Sequence, residues 1–403
     1  MNRQKDNAFR IVLILFLAML FYPPTAFAQG DHDHNINQDE LNLNQVEIDE
    51  DVDIVHNNHD SVHENEAFSP AEMIMEHISD SHEWHIWGSG KNSFSIPLPI
   101  IIYHEERGLS VFLSNKFHHA HEAYDGYFLL SEHFLHIHDV DPNEYPHDRV
   151  VAVDENGHLD YASTAKIWDI SITKNVFALL TSVVLLMIIF ISIANSYKKR
   201  EGMAPKGVQS FLEPVILFVR DDIAKPAIGE DYARFMPYLL TLFFFIWINN
   251  IMGLIPIIPG GANLTGNIVV PIVLALFTFV ITTINGKAHY WKHIIAMPGV
   301  PKAVLLILTP IELIGIFVKP ITLIMRLFAN ITAGHIVMLV FFSLIFLAGD
   351  GGSIGMGYGV GIASTAFTIF LTCLEILVGA IQAYVFTLLS AIYFGMAVKT
   401  AHH

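Results

Sequence analysis

The sequence predicts an all-α polytopic membrane protein with five transmembrane crossings and one surface helix, preceded by a small, mostly β or irregular extracytoplasmic module. Three observations carry this. Hydrophobic residues fill 53% of the 403 positions, with a mean hydropathy of +0.46, too apolar for an ordinary soluble domain. The net charge is −17, yet residues 31–168 alone hold 28 acidic and 5 basic side chains. A polar acidic part therefore precedes an apolar, slightly basic one. Finally, two long apolar runs, 310–348 and 360–398, flank a glycine-rich turn at 349–359.

The first element is an address. Arg3, Lys5 and Arg10 precede an apolar stretch over 11–21, and Ala26-Phe27-Ala28 offers a small-x-small cleavage pattern. A signal peptide over 1–28 is expected, which places the following segment outside the cytoplasm. Residues 29–83 are acidic, His-rich and poor in aromatics, a composition that stays solvated and flexible. Residues 84–168 read as the small module. Within it, 94–103 is an edge-type extended segment because of Pro97 and Pro99. Residues 109–113 and 150–153 are further short strands, and 154–157 is a turn.

Seventeen of the 22 histidines precede residue 160, among them His118, His119, His121, His133, His136 and His138. No clean ligand spacing repeats, and three readings stay open: a metal site, a proton-collecting surface, or a solvated face. The single cysteine, Cys373, excludes an intramolecular disulfide and reads as a small buried residue in an apolar run.

The membrane domain is expected over 169–403. Spans at 175–194, 235–254 and 268–284 are joined by an amphipathic segment, 208–227, too polar to cross easily and read as a helix along the membrane surface. Each long run is roughly 38 residues, or ~57 Å as helix, against a hydrocarbon core of ~30 Å. The last two helices must therefore form a strongly tilted or bent hairpin, with Pro320 a natural bend. The positive-inside rule orients the set. Lys198, Lys199, Arg200, Arg220, Lys225, Lys287, Lys292, Lys302 and Lys399 fall on one side, and the loops near 256–266 and Gly355 carry no Lys or Arg. The C-terminus is then cytoplasmic.

Ionisable side chains in apolar spans are costly, so each is a functional candidate. Glu312, Lys319 and Arg326 recur every seven residues on one slowly drifting stripe, continued by Asn330. His335 lies nine residues past Arg326, on the opposite face and ~13.5 Å along the axis. In an antiparallel hairpin, residues at one depth have numbers that average to the turn. Arg326 with Gln382 averages 354, and His335 with Glu375 averages 355. Two polar tiers follow. Lys319 reads equally as a snorkelling side chain, and His335 with Glu375 as a structural buried pair. Arg326 has no acid within one turn of its own helix, which points to a carboxylate on another chain. A transporter or channel with a midplane charge site, or a receptor built on the His-rich module, are the rival classes. No duplicated halves support the former, and the latter leaves the hairpin charges unexplained.

The segment Lys319-Pro320-Ile321-Thr322-Leu323-Ile324-Met325-Arg326-Leu327-Phe328-Ala329-Asn330-Ile331-Thr332-Ala333-Gly334-His335 resembles the signature of the F-type ATP synthase subunit a family. Ile381-Gln382-Ala383-Tyr384-Val385-Phe386 is similar to its last-helix motif, and Asn249-Asn250-Ile251-Met252-Gly253-Leu254-Ile255-Pro256 to its second span. The resemblance covers about residues 170–399. His335 and Glu375 stand exchanged relative to many bacterial members, as in mitochondrial ones. The resemblance implies a non-catalytic proton-channel stator subunit in a bacterial inner membrane, partnered by a c-subunit ring, a b-subunit stator and lipid. It implies translocated H⁺, no cofactor, no metal and no nucleic acid. The residues carried over for proton translocation are Arg326, Asn330, His335, Glu375, Gln382 and Glu312. Arg326 would face the ring carboxylate, His335 and Glu375 would line the outer half-channel, and Glu312 the inner one. No GxxxxGK[ST] loop is present, so chemistry on ATP belongs to other chains.

Overall fold

A computed structural model describes residues 70–87, 94–118, 120, 122–131, 148–154, 157–255, 258, 260–295, 297, 300–350 and 354–399. The expected signal peptide and the acidic segment up to residue 69 lie outside those residues, as do His119, His121, His133, His136 and His138. The described chain divides into two compact units. One covers residues 81–174. The other covers 175–399 together with helix α1 (Pro70–Ile78) and the residues up to Asp80.

The first unit is built from β1 (Glu83–Trp87), β2 (Phe94–Pro97), β3 (Pro99–His104), β4 (Gly108–Leu113), β5 (Tyr127–Leu129), β6 (Val150–Ala152), the single-turn helix α2 (Tyr161–Thr164) and β7 (Ile167–Asp169). All pairings are antiparallel: β1 with β2, β5 with β6, and β3 between β4 and β7. The one extended segment expected over 94–103 is two strands. Pro97 and Pro99 lack the N–H groups that a continuous ladder needs. Between them the Leu98 N–H donates to the Ser114 hydroxyl at 3.1 Å, and the Leu98 carbonyl accepts from the Ser114 N–H at 3.0 Å. Alternation along β3 turns Ile100 and Ile102 into a core with Phe117, Tyr127, Leu129 and Val150.

The second unit is helical. Helix α3 (Lys174–Lys199) carries no charge between its first residue and Lys198. Helix α4 (Val208–Phe218) continues through a π-turn at Val219–Ala224 into α5 (Lys225–Ile228). Val219, Ile223, Ala224 and Ile228 are buried while Asp222 and Lys225 are exposed, so the segment has an apolar and a polar face, as its sequence predicts. Gly229, at φ +83°, ends it. Helices α6 (Tyr232–Leu254) and α7 (Val269–Asn285) follow, and α8 (Ala288–Ile295) departs from α7 at 103°.

The long pair comes last. Helix α9 (Lys302–Asp350) runs 49 residues, starting ahead of the expected position 310, because Pro310 and Pro320 are absorbed within it. In lipid, neighbouring helices and local adjustments re-satisfy the carbonyls that a proline frees. Helix α10 (Ile354–Val398) runs 45 residues and takes in much of the segment expected as a turn. At ~1.5 Å per residue both helices exceed twice the apolar thickness of a bilayer. They pack on each other, α10 also packs on α6, and α9 on α7 and α1.

Among the described residues, four helical runs are long and apolar enough to cross a membrane: Lys174–Lys199, Val208–Leu254, Val304–Ala348 and Tyr358–Val398. Taken as one span, the bent pair α7–α8 makes a fifth. Large apolar side chains lie exposed along α3 (Met187, Ile188), α9 (Leu306, Ile314) and α10 (Ile369, Leu377), which water would not tolerate and lipid or a partner does. Cys373 is exposed on α10 rather than buried. An apolar run signals burial within the chain only when water is the solvent.

Candidate functional site

The hairpin brings two of the sequence candidates into contact. His335 Nε2 lies 3.5 Å from Glu375 Oε1, and the residues are 8% and 7% exposed. The separation suits an ion pair, but neither Glu375 oxygen has a hydrogen-bond partner among the described residues. The carboxylate is thus held near the imidazole without being locked to it. Small residues make the room. A Cβ on Gly334 would stand 2.9 Å from Glu375 Oε1, and one on Gly253 would stand 3.5 Å from His335 Nε2.

The surrounding wall is polar and tied. One turn along α10 from Glu375, the Gly379 carbonyl accepts from the Asn250 side chain of α6 at 3.1 Å. The Asn250 carbonyl oxygen accepts in turn from the Thr265 hydroxyl at 2.6 Å. A Cβ on Gly379 would sit 3.0 Å from that of Asn250, so glycine is what lets the two helices close. The Thr332 hydroxyl donates to the Gly266 carbonyl at 3.3 Å, joining α9 to the loop after α6.

The other candidates sit apart from this pair. Leu323, Leu327 and Ile331 bury one stripe of α9 in the core. Arg326 and Asn330 occupy the outward face, exposed together with Ala329 and Ala333. Arg326 forms no ion pair among the described residues, and no hydrogen bond joins it there to Gln382, which is buried at 6% exposure. Of the two pairs expected at equal depth, His335 and Glu375 are thus in contact, whereas Arg326 and Gln382 are not bonded to each other among the described residues. Glu312 is half-buried on α9.

Sequence reasoning missed Tyr393. The Lys319 ammonium lies 5.7 Å from the centre of its ring, and Arg326 lies within electrostatic reach of its hydroxyl. The midpoint test could have found it, since 319 and 393 average 356. Thr278, Thr282, Tyr290, Lys319 and Tyr393 share a small cavity. A buried hydroxyl chain also went unseen: Tyr238 to Thr278 at 2.9 Å, and Thr278 to Ser390 at 3.2 Å. Among the described residues, no three His, Cys, Asp or Glu side chains converge as metal ligands.

Residues 176–395 match the family model described as ATP synthase A chain, and residues 73–170 match a domain of unknown function, DUF8433. ATP synthase subunit a of Chloroherpeton thalassium is 42% identical over 242 residues, covering 59% of this chain and 69% of the relative. ATP synthase subunit a 2 of Chlorobaculum tepidum is 44% identical over 252 residues, covering 61% and 67%. ATP synthase subunit a of Myxococcus xanthus is 40% identical over 242 residues, covering 58% and 75%.

Proposed function

Because the chain belongs to the ATP synthase A chain family, the proton-channel part of the F-type enzyme, we propose that its hairpin carries two aqueous half-channels separated by Arg326. The observation that carries this reading is the setting of Arg326: a guanidinium on the outward face of a membrane helix, followed on that face by the small residues Ala329 and Ala333, without an acid of its own chain paired to it among the described residues. A cation so placed is costly in hydrocarbon. A carboxylate on a neighbouring ring of c subunits offsets that cost, and Ala329 and Ala333 let a partner helix come close.

The mechanism follows from charge. A ring carboxylate must be protonated while it faces lipid. Beside Arg326 its ionised form is favoured, so it releases its proton there. Arginine keeps its charge where lysine would lose it, and a fixed cation blocks direct proton passage between the half-channels. His335 and Glu375 form the outer relay, loading the carboxylate on one side of Arg326. Glu312 serves the inner half-channel on the other, and Asn330 and Gln382 help to position the guanidinium. Proton flow then turns the ring and drives ATP synthesis on other subunits. A bacterial inner-membrane setting, with the strand module outside, the C-terminus in the cytoplasm and a b-subunit stator alongside, completes the reading.

The test is Arg326→Ala in the intact enzyme. ATP-driven proton pumping in inverted vesicles is expected to vanish while the complex still assembles. Coupled pumping at the parent level would sink the assignment.

A further inference from the structure

The outer relay begins at a residue that water barely reaches. His335 is 8% exposed, so something must deliver protons to it. The candidate is not on the hairpin. Helix α1 packs against α9. Its Met73 and Ile74 are half-buried and its Met75 is exposed, so one face is docked and the other is not. His77 lies in its last turn, at i+4 from Met73 and i+3 from Ile74, beside the docked face. The residue is solvent-exposed and lies within electrostatic reach of His335. The end of the segment is pinned as well: the Asp80 carboxylate accepts from the Asn175 N–H at 2.9 Å, at the start of α3.

We propose that His77 is the outermost station of the proton pathway, a water-facing imidazole that passes protons to His335. The inference rests on the reading of His335 and Glu375 as the outer relay. In one cycle His77 takes a proton from outer water and becomes imidazolium. That proton then leaves a His77 ring N–H and ends on a His335 ring nitrogen, and His77 returns neutral. His335 passes it to the Glu375 carboxylate. Among the described residues, the titratable groups along this route are Asp80 at the end of the segment, whose carboxylate accepts from the Asn175 N–H, and His335 of α9 with Glu375 3.5 Å from it. The two imidazoles repel when both are charged, which orders the steps: His335 is loaded as His77 gives up its charge. Imidazole is the side chain whose ordinary titration spans the pH of an outer bulk phase. A helix from the acidic N-terminal part, docked on the channel hairpin, thereby acquires a purpose that its packing alone does not explain.

The experiment uses the whole complex in proteoliposomes, with passive proton flux driven by a potassium diffusion potential and the pH varied on the side bathing the strand module. His77→Gln is expected to slow flux severalfold at about pH 8, where protons are scarce, and to leave it near the parent level at about pH 6. Free imidazole in that outer solution should restore the lost flux, and His77→Glu should retain part of it. Parent-like flux for His77→Gln at every pH, alongside slow flux for His335→Ala, overturns this inference and leaves the relay standing. Parent-like flux for both variants removes the relay reading itself. A loss for His77→Gln that is equal at every pH and indifferent to imidazole also overturns the inference, because it marks a defect in helix docking.

Discussion

Glu375 Oε1 stands 3.5 Å from His335 Nε2, and a methyl group on Gly334 would come within 2.9 Å of the same oxygen. The residue next to the imidazole therefore sets how close the carboxylate can come. Gly334→Ala meets only the far end of a flexible side chain, which can swing aside. Replacing a mid-helix glycine also favours the helix by about 1 kcal/mol. Assembly of the complex should be unchanged, while passive proton flux falls roughly ten- to a hundredfold, the scale expected for a displaced reacting group. Parent-like flux in reconstituted vesicles would show that the pair does not carry protons.

Removing either member of the pair leaves the other buried, at a cost of about 3–5 kcal/mol when the survivor stays charged. His335→Ala and Glu375→Ala should each slow flux and weaken the hairpin. The double exchange His335→Glu with Glu375→His keeps one imidazole and one carboxylate at the same depth. It should recover part of the flux that either single variant loses. Flux and complex yield measured on the three variants check this; an exchange no better than the single changes would argue that orientation, not composition, matters.

The hairpin was legible in part from the spacing of its polar residues. The shared midpoint of His335 and Glu375 matches their 3.5 Å contact, whereas the seven-residue stripe divides, with Lys319 half-buried against Tyr393 and Arg326 exposed. The two outward neighbours of Arg326, Ala329 and Ala333, were visible but silent, since small residues announce nothing until a surface is seen. The strand module was legible only in part. Runs such as 109–113 announce strands, but β7 is three residues long, and its pairing with β3 joins Ile102 to Asp169 across the whole unit. Pairing that distant leaves no local trace. Helix α9 began earlier than expected because proline rules drawn from water apply weakly within a bundle in lipid.

Gly395 tests the packing of the amphipathic segment against the hairpin. A Cβ there would lie 2.0 Å from the Ala227 carbonyl oxygen, a backbone atom that cannot rotate away. Gly395→Ala should force α10 from α5 and cost about 1–3 kcal/mol. Gly315, on α9, has nothing within 4 Å of its Cβ position. Gly315→Ala should be neutral to stabilising, by up to about 1 kcal/mol. Thermal unfolding of the two variants in detergent separates a steric cause from a general intolerance of alanine.

The strand module should have its own acid limit, set by one pair. His82 Nε2 lies 3.5 Å from Asp169 Oδ2, and both side chains are largely buried. Burial alone would push the Asp169 carboxyl up, but the His82 imidazole and the Ser171 hydroxyl and N–H outweigh it and hold the carboxyl below its ordinary 3.8. A lowered carboxyl binds its proton less readily in the folded state than in the unfolded one. Its contribution to stability is therefore complete above the unfolded value and is lost as pH falls through the folded one. Limited proteolysis of the module in the purified protein should accelerate below about pH 4. In Asp169→Asn, cleavage should be faster already at neutral pH, by an amount matching about 3 kcal/mol. Its remaining acid dependence should be shallower than the parent's, because the group that titrates is gone. An equally steep acid limb in that variant would assign the transition to other carboxylates.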